Sequence, residues 1–318
     1  MITVKGLRKE FGGIVAVDDV TFSVMPGEVL GFLGPNGAGK TTTMRMIAGY
    51  LEPTAGEVTV GGIKVAENPV GAKAQIGYLP ENAPVYRDME VLAFLRFIAA
   101  IRGLRGAVAR QAVERAIAVS HLEPVVYQSI DTLSKGYVRR TSFAQAILHD
   151  PPILILDEPT DGLDPNQKHE VRAMIHEMGR DKAIIISTHI LEEVEACCKR
   201  AVIIARGRLV ADGTPAELKT RSRTANTVVL AVAGGEAEAL AGAVGGLGMV
   251  GRVEIMERDG GLVRLRLTPK GVGAGELALA VAGYARERGL AVRELSTDAG
   301  RLDDVFRSIT LPGGEVAA

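Results

Sequence analysis

A glycine-rich stretch near the start of the chain contains residue types that bind phosphate groups. Its three glycines allow backbone turns that a side chain would block, so that N–H groups can converge on an anion. Lys40 adds a positive charge, and the Thr41 hydroxyl is the kind of oxygen ligand that Mg²⁺ prefers. The stretch consists of Gly34, Pro35, Asn36, Gly37, Ala38, Gly39, Lys40, Thr41 and Thr42. It predicts a binding loop for a nucleoside triphosphate.

The segments on either side of this stretch have the patterns that a phosphate-binding loop requires. Residues 29–33 are an apolar run that predicts a buried strand, and residues 43–48 have the apolar spacing of a helix. A helix that begins near Lys40 would also direct the positive end of its dipole at the bound anion. Strand, glycine loop and helix therefore follow each other in the required order.

Two carboxylates stand at the end of a second apolar run. Residues 153–156 predict a central parallel strand that is buried on both faces, and Asp157 and Glu158 come directly after them. Ligands of open α/β sheets bind at the carboxyl ends of the strands. One carboxylate could order a metal ion while the other polarises an attacking water. His189 follows another apolar strand, and its position alone allows either a structural or a catalytic role.

Three further residues carry weaker signals, and each has an ordinary structural alternative. Phe11 precedes the phosphate loop and is either a core residue or an exposed aromatic that stacks on a base. Ser134 and Gly136 lie where residues 131–137 interrupt a helical pattern and open a new helix. They form either an ordinary helix cap or a second anion site.

The composition restricts the class of protein. With 318 residues the chain is long enough for two domains, and a formal net charge of −1 argues against general nucleic-acid binding. The adjacent Cys197 and Cys198 cannot join distant segments, and they indicate a reducing compartment and simple helix packing. We expect no secretory signal, and no apolar run reaches the roughly 18 to 20 residues that cross a bilayer. Work at a membrane would require docking onto a separate subunit.

The sequence changes character after Leu218. Residues 219–224 predict a polar linker, and residues 227–295 predict strands and helices in the order βαββαβ. That order is typical of a ferredoxin-like unit. The unit carries no metal-binding or nucleophile pattern.

With all these stretches in order, residues 2–220 resemble the ATP-binding subunits of ABC transporters. The matching positions are Phe11 for the adenine-stacking aromatic, residues 34–42 for the Walker A loop, Glu81 for the Q-loop glutamine, residues 133–137 for the signature, Asp157 and Glu158 for Walker B, residues 162–164 for the D-loop and His189 for the switch histidine. The chain departs from the family pattern at Glu81, and at Lys135 and Tyr137, where the signature usually has glycine and glutamine.

The resemblance implies an α/β fold with two domains. Residues 1–220 would form a P-loop ABC ATPase domain with a RecA-like core, an antiparallel β subdomain and a helical subdomain. For residues 225–318, which the resemblance does not cover, the order βαββαβ predicts a small α+β, ferredoxin-like accessory domain. Residues 301–306 resemble the ending common to exporter subunits. This second domain is either a regulatory or dimer-supporting appendage or an extension without a role.

The resemblance also implies a mechanism. Two copies would pair head to tail, with ATP held between the Walker A loop of one copy and Ser134 and Gly136 of the other. Glu158 would position the attacking water and His189 would contact the γ-phosphate. Thr41, Asp157 and Glu81 would serve Mg²⁺. The dimer would lie on the cytoplasmic face of the membrane, bind an integral-membrane permease subunit and drive transport, with export favoured and no nucleic-acid partner.

Two other functions compete with transport. The first is an ABC ATPase that acts on DNA or ribosomes, which the lack of a long coiled coil and the single phosphate loop disfavour. The second is a nucleotide-binding switch with little hydrolysis, which Glu158 and His189 disfavour.

Overall fold

The computed structural model describes residues 1–82, 84–234, 236–259 and 261–310. The chain divides into two compact units, Met1–Pro215 and Ala216–Ala318. The boundary therefore lies a few residues before the polar linker predicted at 219–224. The segment at the boundary is a short helix, α8 (Pro215–Lys219), in which Leu218 is buried.

The first unit combines two sheets with helices. Its strands are β1 (Ile2–Phe11), β2 (Ile14–Val24), β3 (Val29–Leu33), β4 (Ala55–Val60), β5 (Ile63–Lys64), β6 (Ile76–Leu79), β7 (Ile153–Asp157), β8 (Ala183–Thr188), β9 (Arg200–Ala205) and β10 (Arg208–Gly213). Its helices are α1 (Lys40–Ile47), α2 (Pro69–Ala74), α3 (Val91–Ile101), α4 (Gly106–Val119), α5 (Lys135–Ile147), α6 (Pro165–Met178) and α7 (Leu191–Cys197). No helix within the described ranges is both long enough and apolar enough to cross a bilayer.

The central sheet of the first unit has the strand order β10-β9-β3-β8-β7-β6. The strands from β9 to β6 run parallel, and β10 pairs antiparallel with β9. Every residue of β3, β7 and β8 is buried, which explains why these strands are continuous apolar runs in the sequence. Since parallel strands end at one edge of a sheet, the residues that follow these three strands lie close together.

A second, antiparallel sheet has the order β2-β1-β4-β5 and shares a hydrophobic core with the central sheet and α1. Val4, Phe22, Phe32 and Met44 are buried in this core, and the rings of Phe22 and Phe32 lie 5.5 Å apart. Full burial of one such side chain contributes about 1.5–3 kcal/mol to folding. This core fixes the position of the loop between β3 and α1.

The helices α3, α4 and α5 follow β6 and precede β7. The sequence predicts a helical region here, with an interruption at residues 131–137. In the structure α5 begins at Lys135, with Ser134 as its N-cap, whose hydroxyl oxygen accepts a hydrogen bond from the Tyr137 N–H at 3.4 Å. Phe94 and Leu95 of α3 and Phe143 of α5 are buried.

The second unit is a four-stranded antiparallel sheet with helices. Its elements are β11 (Thr227–Ala233), α9 (Ala237–Gly245), β12 (Val250–Asp259), β13 (Leu262–Pro269), α10 (Ala274–Glu287), β14 (Ala291–Asp298) and α11 (Leu302–Thr310). The strand order is β12-β13-β11-β14, and each neighbouring pair is antiparallel. Leu240 and Val244 of α9 and Leu277 and Val281 of α10 are buried in the core of this unit. The succession of elements up to β14 is that of a ferredoxin-like unit.

Cys197 and Cys198 lie where α7 packs on β3. A side-chain carbon added at Gly31 would lie 3.1 Å from Cys198 Sγ, so the helix approaches the strand at a residue that has no side chain. Both cysteines are free and buried, and burial raises the pKa of the Cys197 thiol to about 11. A thiol that stays protonated is a poor nucleophile, and these residues therefore serve packing.

We predict that His149 makes the stability of the first unit depend on pH. Burial, assisted by the nearby Arg102, lowers the pKa of His149 from 6.5 to about 4, and its Nε2 lies 3.2 Å from the Ile76 carbonyl oxygen. Between these two pH values the unfolded chain binds a proton that the folded chain does not bind. The free energy of unfolding should therefore fall as the pH decreases from about 6.5 to about 4.

Thermal melting between pH 7.5 and 4.5 measures this effect. His149→Gln should flatten the dependence of the melting temperature on pH, whereas His176→Gln, which changes an exposed histidine, should leave it unchanged. Equal slopes for the unmodified protein and both variants would show that His149 does not cause the dependence.

Candidate active site

A cavity of about 430 Å³ opens at the edge of the central sheet where β3, β7 and β8 end. It is lined by Ala16, Pro35, Asn36, Gly37, Gly39, Lys40, Thr41, Thr42, Glu81, Glu158, Asp161 and His189. Lys40, Thr41 and Thr42 open α1, so the N-terminus of this helix faces the cavity. The free N–H groups and the dipole of a helix N-terminus favour an anion at such a place.

The loop between β3 and α1 can follow its path only with glycine at two positions. A side-chain carbon at Gly34 would lie 2.5 Å from the Ile204 carbonyl oxygen. At Gly39 it would lie 2.6 Å from the Ala16 carbonyl oxygen, and Gly39 also has a φ of 107°, in the left-handed region. Glycine at these two positions therefore lets the loop pack directly against the backbones of β9 and β2.

A lysine, a carboxylate and an imidazole meet in the cavity. Lys40 Nζ donates a hydrogen bond to the Gly34 carbonyl oxygen at 2.7 Å and lies 3.6 Å from Glu158 Oε1. His189 Nδ1 lies 3.0 Å from Glu158 Oε2 and donates a hydrogen bond to this carboxylate when Nδ1 is protonated. The other ring nitrogen, Nε2, is then available to a ligand. Glu158 and Lys40 are buried. This carboxylate is placed to accept a proton from a water in the cavity.

The backbone of Glu158 has an unusual conformation. Its φ is 49°, in the left-handed region that residues other than glycine rarely adopt. The Glu158 N–H donates to the Ser187 carbonyl oxygen at 3.0 Å, which ties the residue to the neighbouring strand β8. Such strain persists only where the surroundings enforce it, and it is concentrated at functional sites.

Asp157 lies deeper than Glu158, at the last position of β7, and is fully buried. The Ser187 hydroxyl donates to its Oδ1. Its Oδ2 has no hydrogen-bond partner among the residues that the structure describes. A buried carboxylate oxygen without a donor suits the neighbourhood of a cation.

Comparisons with known proteins agree with this geometry. The sequence profile of the ABC transporter family matches residues 17–161. The Nod factor export ATP-binding protein I of Paraburkholderia xenovorans is 37% identical over 213 residues, which cover 67% of this chain and 70% of that protein. The chain belongs to the ATP-binding proteins of the ABC transporter family.

Two further relatives support this assignment. The probable multidrug ABC transporter ATP-binding protein YbhF of Escherichia coli is 37% identical over 223 residues, which cover 70% of this chain but only 38% of YbhF. The solved structure of an ATP-binding subunit of an ABC transporter superposes with a TM-score of 0.64 at 32% identity, and covers 69% of this chain and 92% of that one. The ABC ATPase fold predicted from the sequence is thereby confirmed for the first unit.

The cavity of this ABC protein brings together most of the residues that the sequence singles out. Of the predicted set, it is lined by Pro35, Asn36, Gly37, Gly39, Lys40, Thr41, Thr42, Glu81, Glu158 and His189. Gly34 and Ala38 belong to the same loop without lining the cavity, and Asp157 lies beneath it. Phe11, Ser134 and Gly136 lie outside it. Phe11 is 47% exposed, which excludes the alternative that it is a core residue.

The sequence did not single out two residues of the cavity, Ala16 and Asp161. Ala16 contributes its backbone, which any residue type could supply, so its sequence carries no signal. Asp161 lies three residues after Glu158, in a loop that the sequence predicts to be structured. Its position in the sequence, so soon after the two Walker B acids, is a signal that could have identified this carboxylate.

Glu193 of α7 is a further residue that the sequence did not single out. It is buried, and the hydroxyls of Thr160 and Thr188 donate to its two carboxylate oxygens. Burial raises the pKa of this carboxyl group, while the bond from Thr188 opposes that shift. Glu193 thus connects the loop after Glu158 with the strand end before His189.

Proposed function

We propose that this chain is the ATP-binding and ATP-hydrolysing subunit of an ABC transporter that works as a homodimer and drives export. The observation that carries the proposal is the cavity in which Lys40, Glu158 and His189 meet at the N-terminus of α1. The names of the relatives support export, since one is a Nod factor export protein and another a probable multidrug transporter protein.

In the proposed reaction the N-terminus of α1 and Lys40 hold the phosphates of ATP. Glu158 accepts a proton from a water as the water oxygen bonds to the γ-phosphorus. The bond between this phosphorus and the oxygen that it shares with the β-phosphate breaks, and ADP and inorganic phosphate are released. With both ring nitrogens protonated, His189 Nδ1 donates to the Glu158 carboxylate and orients it, while Nε2 donates to a γ-phosphate oxygen.

Mg²⁺ accompanies the nucleotide in this proposal. Glu81, Glu158 and Asp161 bring three carboxylates to the cavity against the single lysine Lys40, so a bound triphosphate needs further positive charge. Asp157, with its unpartnered Oδ2, together with Thr41 and Glu81 would hold the ion. The described residues contain no cluster of three or more His, Cys, Asp or Glu that could hold a metal alone. Phosphate oxygens and waters would complete the shell, and the ion would neutralise charge on the phosphates.

The head-to-tail dimer follows from the position of Ser134 in this proposal. Ser134 is exposed at the N-terminus of α5 and does not line the cavity of its own protomer. We therefore propose that Ser134 contacts a nucleotide that is bound in the cavity of a second copy of the chain. Gly136 is buried, and a side-chain carbon at this position would lie 2.4 Å from Gln167 Oε1, so glycine is needed here for the packing of α5 against α6 within one chain. ATP would then join two copies, and hydrolysis would let them part.

The membrane partner and the location are further parts of the proposal. Opening and closing of the dimer can drive transport only if another subunit changes its conformation together with the dimer. We propose that this subunit is an integral-membrane permease. The dimer would then be peripheral on the cytoplasmic face of the membrane. Affinity purification of the tagged chain from solubilised membranes tests this: recovery of a polytopic membrane protein supports it, and recovery of ribosomes or DNA contradicts it.

We propose an accessory role for the second unit, in regulation or in support of the dimer. It has its own hydrophobic core, and the sequence gives it no catalytic pattern. A chain that ends before β11 should then hydrolyse ATP with altered rate or assembly. Unchanged activity and assembly would instead indicate an extension without a role.

Phosphate release by the purified chain, with Mg²⁺ and with its co-purified partner, tests the proposed hydrolysis. We expect steady turnover that requires both ATP and Mg²⁺. ATP binding without turnover in the presence of the partner would contradict hydrolysis and favour a nucleotide-binding switch.

Phe11→Ala tests the predicted adenine contact. Phe11 is exposed, and Lys9 Nζ lies over one face of its ring at 5.1 Å from the ring centre, so the opposite face would be the one that stacks on adenine. Loss of one aromatic contact worth about 1 kcal/mol should raise the half-saturating ATP concentration by about fivefold and leave kcat unchanged. Tyr127→Ala, which removes an exposed aromatic that does not line the cavity, should change neither value. Identical ATP dependence for the two variants would exclude the contact.

A further inference from the structure

Arg139 of α5 is a buried arginine whose guanidinium group, within the described part of the chain, donates only to backbone carbonyl oxygens. It is 7% exposed. Its Nη1 donates to Pro80 O at 2.9 Å and to Glu81 O at 2.7 Å. Its Nη2 donates to Asp157 O at 2.6 Å and Glu158 O at 2.5 Å, and its Nε donates to Pro159 O at 3.2 Å. One side chain therefore connects the loop after β6 with the loop after β7.

Nearby carboxylates offset part of the cost of burying this charged group. Desolvation lowers the pKa of Arg139, and the charges of Asp157, Asp161, Glu158 and Glu81 oppose that shift. A buried guanidinium is stable only where its donors are satisfied and opposite charge is near. Arg139 meets both conditions, and its charge also offsets the additional carboxylate that Glu81 brings to the site.

We propose that Arg139 is a positioning residue for hydrolysis: it holds the Glu158 loop and the Glu81 loop in one arrangement and ties both to the helix that begins after Ser134. The proposal rests on the proposed function. Glu158 has a φ of 49°, and the Arg139 bonds to the carbonyls of residues 157, 158 and 159 lie on both sides of it. These bonds help to maintain a conformation that a residue other than glycine rarely adopts.

The planar fork of an arginine is necessary for this role. Five donors in a fixed plane can reach two loops at once, whereas the ammonium group of a lysine is a single point with three donors. Arg139→Lys therefore keeps the positive charge and loses the connection between the loops. If Arg139 only balanced the charge of the carboxylates, a lysine at this position would be sufficient.

Steady-state ATPase measurements on the full chain, with its membrane partner, test the proposal. For Arg139→Lys and Arg139→Gln we expect kcat to fall at least about tenfold, with the half-saturating ATP concentration changed by less than about threefold. Titration with ATP should still show one nucleotide bound per chain. This stoichiometry would show that the lower kcat arises from misplaced loops and not from a smaller fraction of folded protein. Arg102→Lys is the matched control, because Arg102 is a partly buried arginine that donates to one backbone carbonyl, Lys73 O, at 3.1 Å. It should hydrolyse ATP at the unmodified rate.

The outcomes separate the proposal from the proposed function. If the unmodified protein fails to hydrolyse ATP, the proposed function is wrong. If it hydrolyses ATP and Arg139→Lys matches the Arg102→Lys control, only the role of Arg139 is wrong.

Hydrogen exchange of the unmodified chain tests the same connection without a variant, in case the substitutions prevent folding. Amides of residues 81, 82, 158 and 160 should open with a common free energy, because one side chain holds both loops. Protection factors that differ between the two loops by more than about tenfold would overturn the proposal.

Discussion

Glu158→Gln should bind ATP and hydrolyse it at least about a hundredfold more slowly than the unmodified chain, since a general base contributes that much or more. Glutamine has nearly the shape of glutamate but cannot accept the proton of the attacking water. The side chain lies between Lys40 and His189 and lines the cavity, so it is placed to take a proton from a water bound there. Single-turnover measurement of phosphate release at saturating ATP gives the rate directly.

The same variant should accumulate as an ATP-bound dimer, because the nucleotide that joins the two copies is not consumed. Light scattering with and without ATP and Mg²⁺ measures the mass. Glu123→Gln, which changes an exposed glutamate of the helical segment, is the control and should turn over normally. Turnover by Glu158→Gln at the control rate would show that this carboxylate is not the base.

Lys40→Ala should weaken ATP binding by about tenfold or more, because a charge-assisted hydrogen bond contributes roughly 1.5 to 3 kcal/mol. Lys40 Nζ is a buried cation that opens α1 at the cavity. Its loss also leaves the three carboxylates of the cavity without the lysine, so the triphosphate meets a more negative site. Isothermal titration with ATP and Mg²⁺ measures the dissociation constant.

Lys182→Ala is the matched control for this variant. Lys182 is also bound to a carboxylate and a backbone carbonyl, Asp150 Oδ1 at 2.6 Å and Pro151 O at 2.7 Å, but it does not line the cavity. Its removal should leave the affinity for ATP unchanged. If Lys40→Ala binds and hydrolyses ATP like this control, the cavity is not the nucleotide site.

The parts of the site that the sequence predicts are those with a regular pattern. Strand β7 is an uninterrupted apolar run that ends in two acids, and the glycine loop lies between an apolar strand and a helix. Both patterns arise because a parallel strand is buried on both faces and its end faces a ligand. The order βαββαβ of the second unit is also visible, because β11 is a continuous apolar run and β13 alternates in polarity.

The sequence does not reveal the contacts that hold the acidic loops. In α5 the consecutive residues Arg139 and Arg140 are buried, together with Thr141 and Ser142, so helical periodicity gives no indication of which arginine faces inward. The acceptors of Arg139 are backbone carbonyls from two separate loops, and a backbone group leaves no trace in residue types. Glu193 was missed for a similar reason, because its partners are ordinary threonines.

The roles of Phe11, Ser134 and Gly136 stay predictions, since they lie outside the cavity of a single chain. The two alternatives for Ser134 in the sequence, a helix cap and an anion site, are compatible. Its hydroxyl caps α5, and the residue is exposed at the surface of the chain.

Complementation between two inactive variants tests the head-to-tail site most directly. Lys40→Ala removes the lysine from the phosphate loop, and Ser134→Asp keeps a good helix cap but repels phosphate. In an equal mixture half of the dimers contain one copy of each variant, and each of these has one intact composite site of two. The account therefore predicts ATPase activity of about a quarter of that of the unmodified protein. A mixture as inactive as either variant alone would contradict the shared site.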